Sequence, residues 1–154
     1  MRQYLDLLRD VRDHGARKPT RAVLRSTGEK IDALSVFGRH FVIPQAANGV
    51  ARFDFDTLCG TALGAGDYLA LATHYHTLIL DGVPRLAPDN FDRARRFITL
   101  VDTLYDHRVK LIASAADIPD RLYMRGQNAQ AFERTASRLN EMQGAEWLGL
   151  EHLT

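Results

Sequence analysis

Two short apolar runs on either side of a long amphipathic segment constrain this chain more than any other feature. Thr77-Leu78-Ile79-Leu80 carries no charge and passes into Asp81-Gly82-Val83-Pro84, and residues 109–113, apolar apart from Lys110, form a second short run. A strand with water on one face alternates apolar and polar residues; an unbroken apolar run is the pattern of a strand covered on both faces, as in a parallel sheet. Between the two runs, Pro88 and Asp89 supply the early proline and first-turn acid that open helices. Phe91, Ala94, Ile98, Val101 and Tyr105 then mark one helical face, with Phe97 and Leu104 beside it. Strand, helix and strand make a βαβ unit, expected to be parallel with a right-handed crossover.

Upstream of this unit the pattern changes. Leu34-Ser35-Val36-Phe37, Phe41-Val42-Ile43 and Val50-Ala51-Arg52-Phe53-Asp54-Phe55 read as short strands, with turns at Gly38-Arg39 and at residues 46–49. Thr57 to Gly60 begins a turn of helix, and Gly64-Ala65-Gly66 breaks the chain before Asp67, which caps a helix over residues 68–74. Residues 2–14 carry Tyr4, Leu8 and Val11 at helical spacing and end at Gly15, whereas residues 16–30 are polar and aperiodic, as a linker is. A last helix over residues 131–143 places Phe132, Ala136, Leu139 and Met142 on one face, followed by Trp147 and Leu148 as an anchor. The fold expected is α/β: a short β-hairpin or three-stranded piece, then a parallel βαβ core with a C-terminal helix. Two parts are expected, an N-terminal helix and linker over residues 1–30 and an α/β domain over residues 31–154.

The bulk numbers narrow the function classes. With 154 residues the chain can enclose a core of its own. Twenty Lys and Arg against 19 acids give a net charge of +1, so no global field draws the chain to nucleic acid or anionic lipid. A single cysteine, Cys59, forbids an intrachain disulfide and suits a reducing compartment. No apolar run approaches a membrane span, and the opening residues lack the apolar centre of a signal peptide. Cytoplasmic residence is the expectation.

Six segments carry a resemblance. They are Phe53-Asp-Phe-Asp-Thr-Leu-Cys59, Asp67-Tyr-Leu-Ala-Leu-Ala72, His76-Thr-Leu-Ile-Leu-Asp-Gly-Val-Pro84, Ala94-Arg-Arg-Phe-Ile-Thr-Leu-Val-Asp-Thr-Leu-Tyr105, Val109-Lys-Leu-Ile-Ala-Ser-Ala115 and Glu133-Arg-Thr-Ala-Ser-Arg-Leu-Asn-Glu-Met-Gln143. From about residue 33 onward, in this order, they resemble the C-terminal region of the ZapE (AFG-one-like) family of AAA+ ATPases. The resemblance implies Mg-ATP binding and hydrolysis by the full-length family protein. It further implies remodelling of partner proteins, including the bacterial division machinery, and contacts with an upstream ATPase domain or with oligomer neighbours.

The phosphate cradle of that family is upstream of the matching region. A glycine-rich loop followed by Lys and Ser or Thr is needed for backbone N–H groups to enclose phosphate. Ser26-Thr27-Gly28-Glu29-Lys30 comes nearest, but it lacks the first glycine and has Ile31 in place of the hydroxyl residue. No cofactor is therefore expected for this chain alone, and no ATPase activity. Residues 77–115 still follow the layout of an acidic metal strand, a helix and a polar sensor strand, with Asp81 and Ser114 at the strand ends. A working site of that kind usually ends in paired acids; Gly82 follows Asp81, which favours a degenerate structural copy. Arg134 and Arg138 project from one side of the last helix. Such a pair either reaches a neighbour's γ-phosphate or forms ion pairs with Glu133, Glu141 or Asp102. Asp81, Arg134 and Arg138 are the nucleotide-contact candidates; Arg95 and Arg96 read as a solvated face.

Three other features need weighing. Residues 1–21 resemble the start of thymidylate synthase, with Arg21 where that family grips a nucleotide phosphate, but no Cys flanked by Pro and His follows. A fused or misjoined reading frame accounts for both resemblances better than one enzyme does. His74 and His76 have a spacing that chelates zinc on a strand, yet two ligands are too few for a site. Cys59 reads as a small buried apolar residue. The function expected is thus the distal, non-catalytic part of an ATPase, acting in packing and oligomer contacts, with a thymidylate synthase-like fragment or a stand-alone interaction module as alternatives. If the βαβ unit extends a larger sheet, residues 77–80 or 109–113 present an unpaired edge.

Overall fold

The computed structural model describes residues 30–36 and 38–153. The helix and linker expected over residues 1–29, Arg21 included, lie outside the described residues. Five strands form one sheet in sequence order: β1 (Lys30–Val36), β2 (Arg39–Ala47), β3 (Val50–Asp54), β4 (Thr77–Val83) and β5 (Lys110–Ala115). The first three strands are antiparallel and β3, β4 and β5 are parallel. The hairpin piece and the βαβ core are therefore one sheet, and the α/β architecture is as expected.

Between β3 and β4 come α1 (Phe55–Cys59) and α2 (Ala65–His74); between β4 and β5 comes α3 (Phe91–Asp106), preceded by a 3₁₀ turn at Pro88–Asn90. After β5 follow a second 3₁₀ turn (Pro119–Arg121), α4 (Ala129–Glu141) and α5 (Ala145–Leu148). Consecutive parallel strands joined by right-handed crossovers put the crossover helices on one side of the sheet. The packing agrees. Ala46, Ala51, Phe53, Leu78, Leu80, Leu111 and Ala113 share one sheet face and one continuous core with Tyr68, Leu71, Phe97, Val101, Leu104, Phe132 and Leu139 of the helices.

Local chemistry explains several boundaries. Pro44, which has no N–H for a ladder, sits where the β1–β2 register slips between the Lys30–Ala46 and Asp32–Ile43 pairs. Gly49 turns β2 into β3 at φ 80°, and a Cβ there would meet the His76 ring at 2.5 Å. Asp67 caps α2 from inside its first turn: its carboxylate accepts the Gly64 N–H at 2.9 Å and pairs with Arg39 at 3.1 Å, which ties the hairpin to the helix.

Three expectations are corrected. Residues 77–80 are no edge, because β4 is paired on both sides, to β3 and to β5. Asp81 does not end its strand, since β4 runs on to Val83 through an irregularity in which Gly82 takes φ 75°. Lys30 belongs to β1 rather than to a linker.

Candidate functional site

The candidate residues form two separate constellations. The first lies toward the C-terminal end of the parallel strands. Asp81 of β4 stands in register with Asp54 of β3, and Arg52, two residues earlier on β3, shares its face. Arg52 Nε donates to Asp81 Oδ2 at 2.6 Å, with the side chains 13% and 9% exposed. Beside them the Gly82 N–H donates to Ser114 Oγ at 2.8 Å, which fastens the irregular end of β4 to β5. An acid that lends its oxygens to a metal must offer them free; this one is charge-paired at short range with little water around it. The arrangement is that of an internal ion pair.

The second constellation joins α3, α4 and α5. Asp102 receives both arginines of α4: Arg138 Nη1 at 2.6 Å and Arg134 Nη2 at 3.1 Å. Of the three acids weighed as ion-pair partners, Asp102 is the one that takes both. Arg138 also covers the Tyr105 ring, 4.6 Å from its centroid, and Tyr105 stacks on Trp147. The Tyr105 hydroxyl donates to Glu141 at 2.8 Å, and that bond to a carboxylate holds its pKa above the usual phenol value. Lys110 lies over the other aromatic ring, 4.5 Å from the Trp147 centroid, and donates to the carbonyls of Trp147 and Leu150 at 3.1 and 2.7 Å. Burial, then Arg108, lowers its pKa.

Within this cluster the two arginines differ in freedom. Arg138 is 24% exposed and held on two sides, whereas Arg134 is 64% exposed with one ion pair. Arg52 and the Tyr105–Trp147 stack are the organisers that sequence reasoning passed over. Arg52 carries no sequence signal, since its pairing with Asp81 arises from parallel register between strands 29 residues apart.

The remaining candidates make local contacts. His74 closes α2, with Nδ1 2.9 Å from the Ala70 carbonyl, so it is not on a strand as the zinc spacing requires. His76 spends its two nitrogens on Thr77 Oγ1 at 2.8 Å and the Asn48 carbonyl at 3.0 Å. Cys59 is fully buried, and desolvation pushes its thiol up from 9.0 to about 12; desolvation likewise holds the Tyr68 phenol well above its ordinary value. Arg95 is solvent-facing and pairs with Asp92 within its own helix. Arg96 instead reaches back to the Cys59 carbonyl at 3.3 Å, capping α1.

Raised folded-state pKa values make stability fall as pH rises. Below pH 9 both folded and unfolded Cys59 are protonated. Above it the unfolded thiol ionises first, so unfolding gains about 1.4 kcal/mol per pH unit up to the folded value, a slope to which Tyr68 adds. Lys110, with its lowered pKa, acts in the opposite sense just below 10.5 and offsets part of this slope. Cys59→Ala is expected to flatten the alkaline fall in urea midpoints between pH 9 and 10. In the native wild-type chain Cys59 is expected to resist alkylation until the chain unfolds; alkylation at a free-thiol rate would contradict its burial.

Comparison with known proteins agrees with the segments noted in the sequence. A family model described as AFG1-like ATPase matches residues 9–151, beginning inside the opening that resembles thymidylate synthase. The cell division protein ZapE of Escherichia coli K12 is 37% identical over 125 residues, covering 81% of this chain and 33% of that protein. An uncharacterized protein of Schizosaccharomyces pombe is 45% identical over 84 residues, 54% of this chain and 18% of its own length. Lactation elevated protein 1 homolog B of Danio rerio is 38% identical over 109 residues, 71% of this chain and 22% of its own. The chain thus spans about a third or less of the length of these relatives. No solved structure matches. Among the described residues no helix is long and apolar enough to cross a membrane. With the family model matching most of the chain and its six characteristic segments in order, this chain belongs to the AFG1-like ATPase family, of which it represents the C-terminal region.

Proposed function

We propose that this chain is a packing and assembly part of a cytoplasmic ATP-hydrolysing protein whose phosphate cradle is formed by other residues of the family protein. Its partners are an upstream ATPase domain or oligomer neighbours. Through them it takes part in remodelling a protein partner, for which division-machinery proteins are the class that the ZapE relative's name suggests. The observation that carries this reading is the Arg52–Asp81 pair: the strand laid out like a metal-binding strand has its acid already neutralised. A calorimetric titration tests it. Mg-ATP is expected to show no binding to the chain alone at micromolar Kd, that is, at about −8 kcal/mol or tighter; such binding would overturn the reading.

Within the reading, Arg134 and Arg138 of α4 have distinct roles. Arg134 is the exposed member and extends to a nucleotide held by a neighbour. Arg138, clamped between Asp102 and Tyr105, positions the helix that carries it. In this chain joined to the family's phosphate-binding part, Arg134→Ala is expected to lower ATP turnover on the order of 10³-fold, as loss of an arginine finger does. The unfolding midpoint should barely move, because one exposed ion pair contributes at most about 1 kcal/mol. Unchanged turnover would remove Arg134 from the site.

A further inference from the structure

Asp102 meets two guanidiniums with a single negative charge, and the two are held unequally. Arg138 donates through Nη1 at 2.6 Å, is 24% exposed, and lies against the Tyr105 ring, 4.6 Å from its centroid. Arg134 donates through Nη2 at 3.1 Å and is 64% exposed. Asp102 is 26% exposed, so it is partly shielded from water and needs a counter-charge, which Arg138 alone supplies. The Arg134 bond is therefore the redundant one. An exposed pair of this kind shifts an equilibrium at most about fivefold, so Arg134 leaves it easily. Two further acids beside α4 have other partners: Glu141 accepts the Tyr105 hydroxyl at 2.8 Å, and Asp120 accepts the Asn140 amide at 3.2 Å.

We infer that Asp102 is a positioning residue that parks Arg134 against α3 and yields it to a phosphate, while Arg138 keeps Asp102 neutralised. The inference rests on the reading that Arg134 extends to a nucleotide held by a neighbour. Competition between two anions for one guanidinium decides where Arg134 sits. Asp102 engages it through a single nitrogen, whereas a phosphate offers several oxygens and more charge and takes an arginine in bidentate fashion. Without a nucleotide the carboxylate is the anion within reach, and Arg134 lies on it. With one, the exchange leaves no bare charge behind, because Arg138 stays on Asp102. The contact thus keeps the cation off an empty site and opposes its transfer to a loaded one by at most the same factor of about five.

Two measurements test this, the first on the chain alone. By nuclear magnetic relaxation of the side-chain Nε–Hε groups, Arg134 is expected to be ordered in the parent and to fall below an order parameter of about 0.6 in Asp102→Asn. Arg138, which keeps the Tyr105 ring, is expected to stay ordered in both. An Arg134 already that mobile in the parent overturns the inference, and this result needs no variant to fold. Turnover is then measured in the chain joined to the family's phosphate-binding part. Asp102→Asn is expected to raise kcat for ATP up to about fivefold with KM unchanged, and Asp102→Glu to return it to the parent value. With Arg134→Ala present, Asp102→Asn is expected to bring no gain. A residue that only braces α4 would instead lower kcat in both backgrounds. That result, or an unchanged kcat, beside a large loss in Arg134→Ala overturns the inference and leaves the Arg134 reading standing. Arg134→Ala without effect on turnover overturns both.

Discussion

Asp81→Ala is expected to lower the unfolding free energy by about 3–5 kcal/mol, because it leaves the Arg52 guanidinium shielded from water and without its counter-charge. The double variant Arg52→Met/Asp81→Leu, which removes both charges and fills the same space, should lie within about 1 kcal/mol of the parent or above it. Urea midpoints measured with and without millimolar Mg²⁺ separate this from a metal-strand role. A metal acid sits among groups that repel it when the ion is absent, so replacing it relieves strain and stabilises the chain. Mg²⁺ would then raise the midpoint of the parent and leave that of Asp81→Ala unchanged. A destabilised single variant, a restored double variant and midpoints indifferent to Mg²⁺ identify an internal ion pair. A single variant as stable as the parent would refute it.

The same pair shows where a sequence stops being informative. The run at residues 77–80 and the 3.6-residue stripe of α3 were legible because burial on both faces leaves no charged position to interrupt a run; at 109–113 only Lys110, at the start of β5, breaks the pattern. The join between the hairpin and the βαβ core was not legible. It depends on β3 leaving its antiparallel partner β2 on one side and taking β4 in parallel on the other, with Val50–Thr77 and Asp54–Asp81 as register pairs. Spacing along the chain carries no trace of that alignment, so Asp81 was visible as an acid near a strand end while its neutralising partner was not. Arg134 and Arg138 were easier, since helical geometry puts residues four apart on one side. Choosing Asp102 among three nearby acids required the crossing of α3 and α4. The start of α2 was placed three residues too late, with Asp67 as N-cap, because Gly64-Ala65-Gly66 looks like a break although the helix begins at Ala65 with Gly64 as its N-cap.

Phe97→Ala is expected to cost about 3–5 kcal/mol, the range for emptying a fully buried aromatic position. Phe97 is 1% exposed, and its ring lies between Phe55 of α1, edge-on at 5.7 Å, and Phe132 of α4, stacked at 6.1 Å. Phe132 in turn meets Tyr123 edge-on at 5.8 Å, so one file of rings connects the start of the crossover to the loop before α4. The consequence is specific to α4. Of its ion pairs to Asp102 the Arg134 one is exposed and contributes little, and the half-buried Arg138 one braces a single side, so the aromatic file supplies most of what fixes the helix that presents Arg134. Phe97→Ala should therefore speed amide exchange in α4 more than in β4, whose neighbours on both sides persist. Phe97→Leu, which keeps most of the volume, should retain slow exchange in α4 with a clearly smaller loss of stability. Equal acceleration in α4 and β4 at a loss below about 1 kcal/mol would mean that α4 is held by its surface charges after all. Arg138→Ala would then be the variant that releases it.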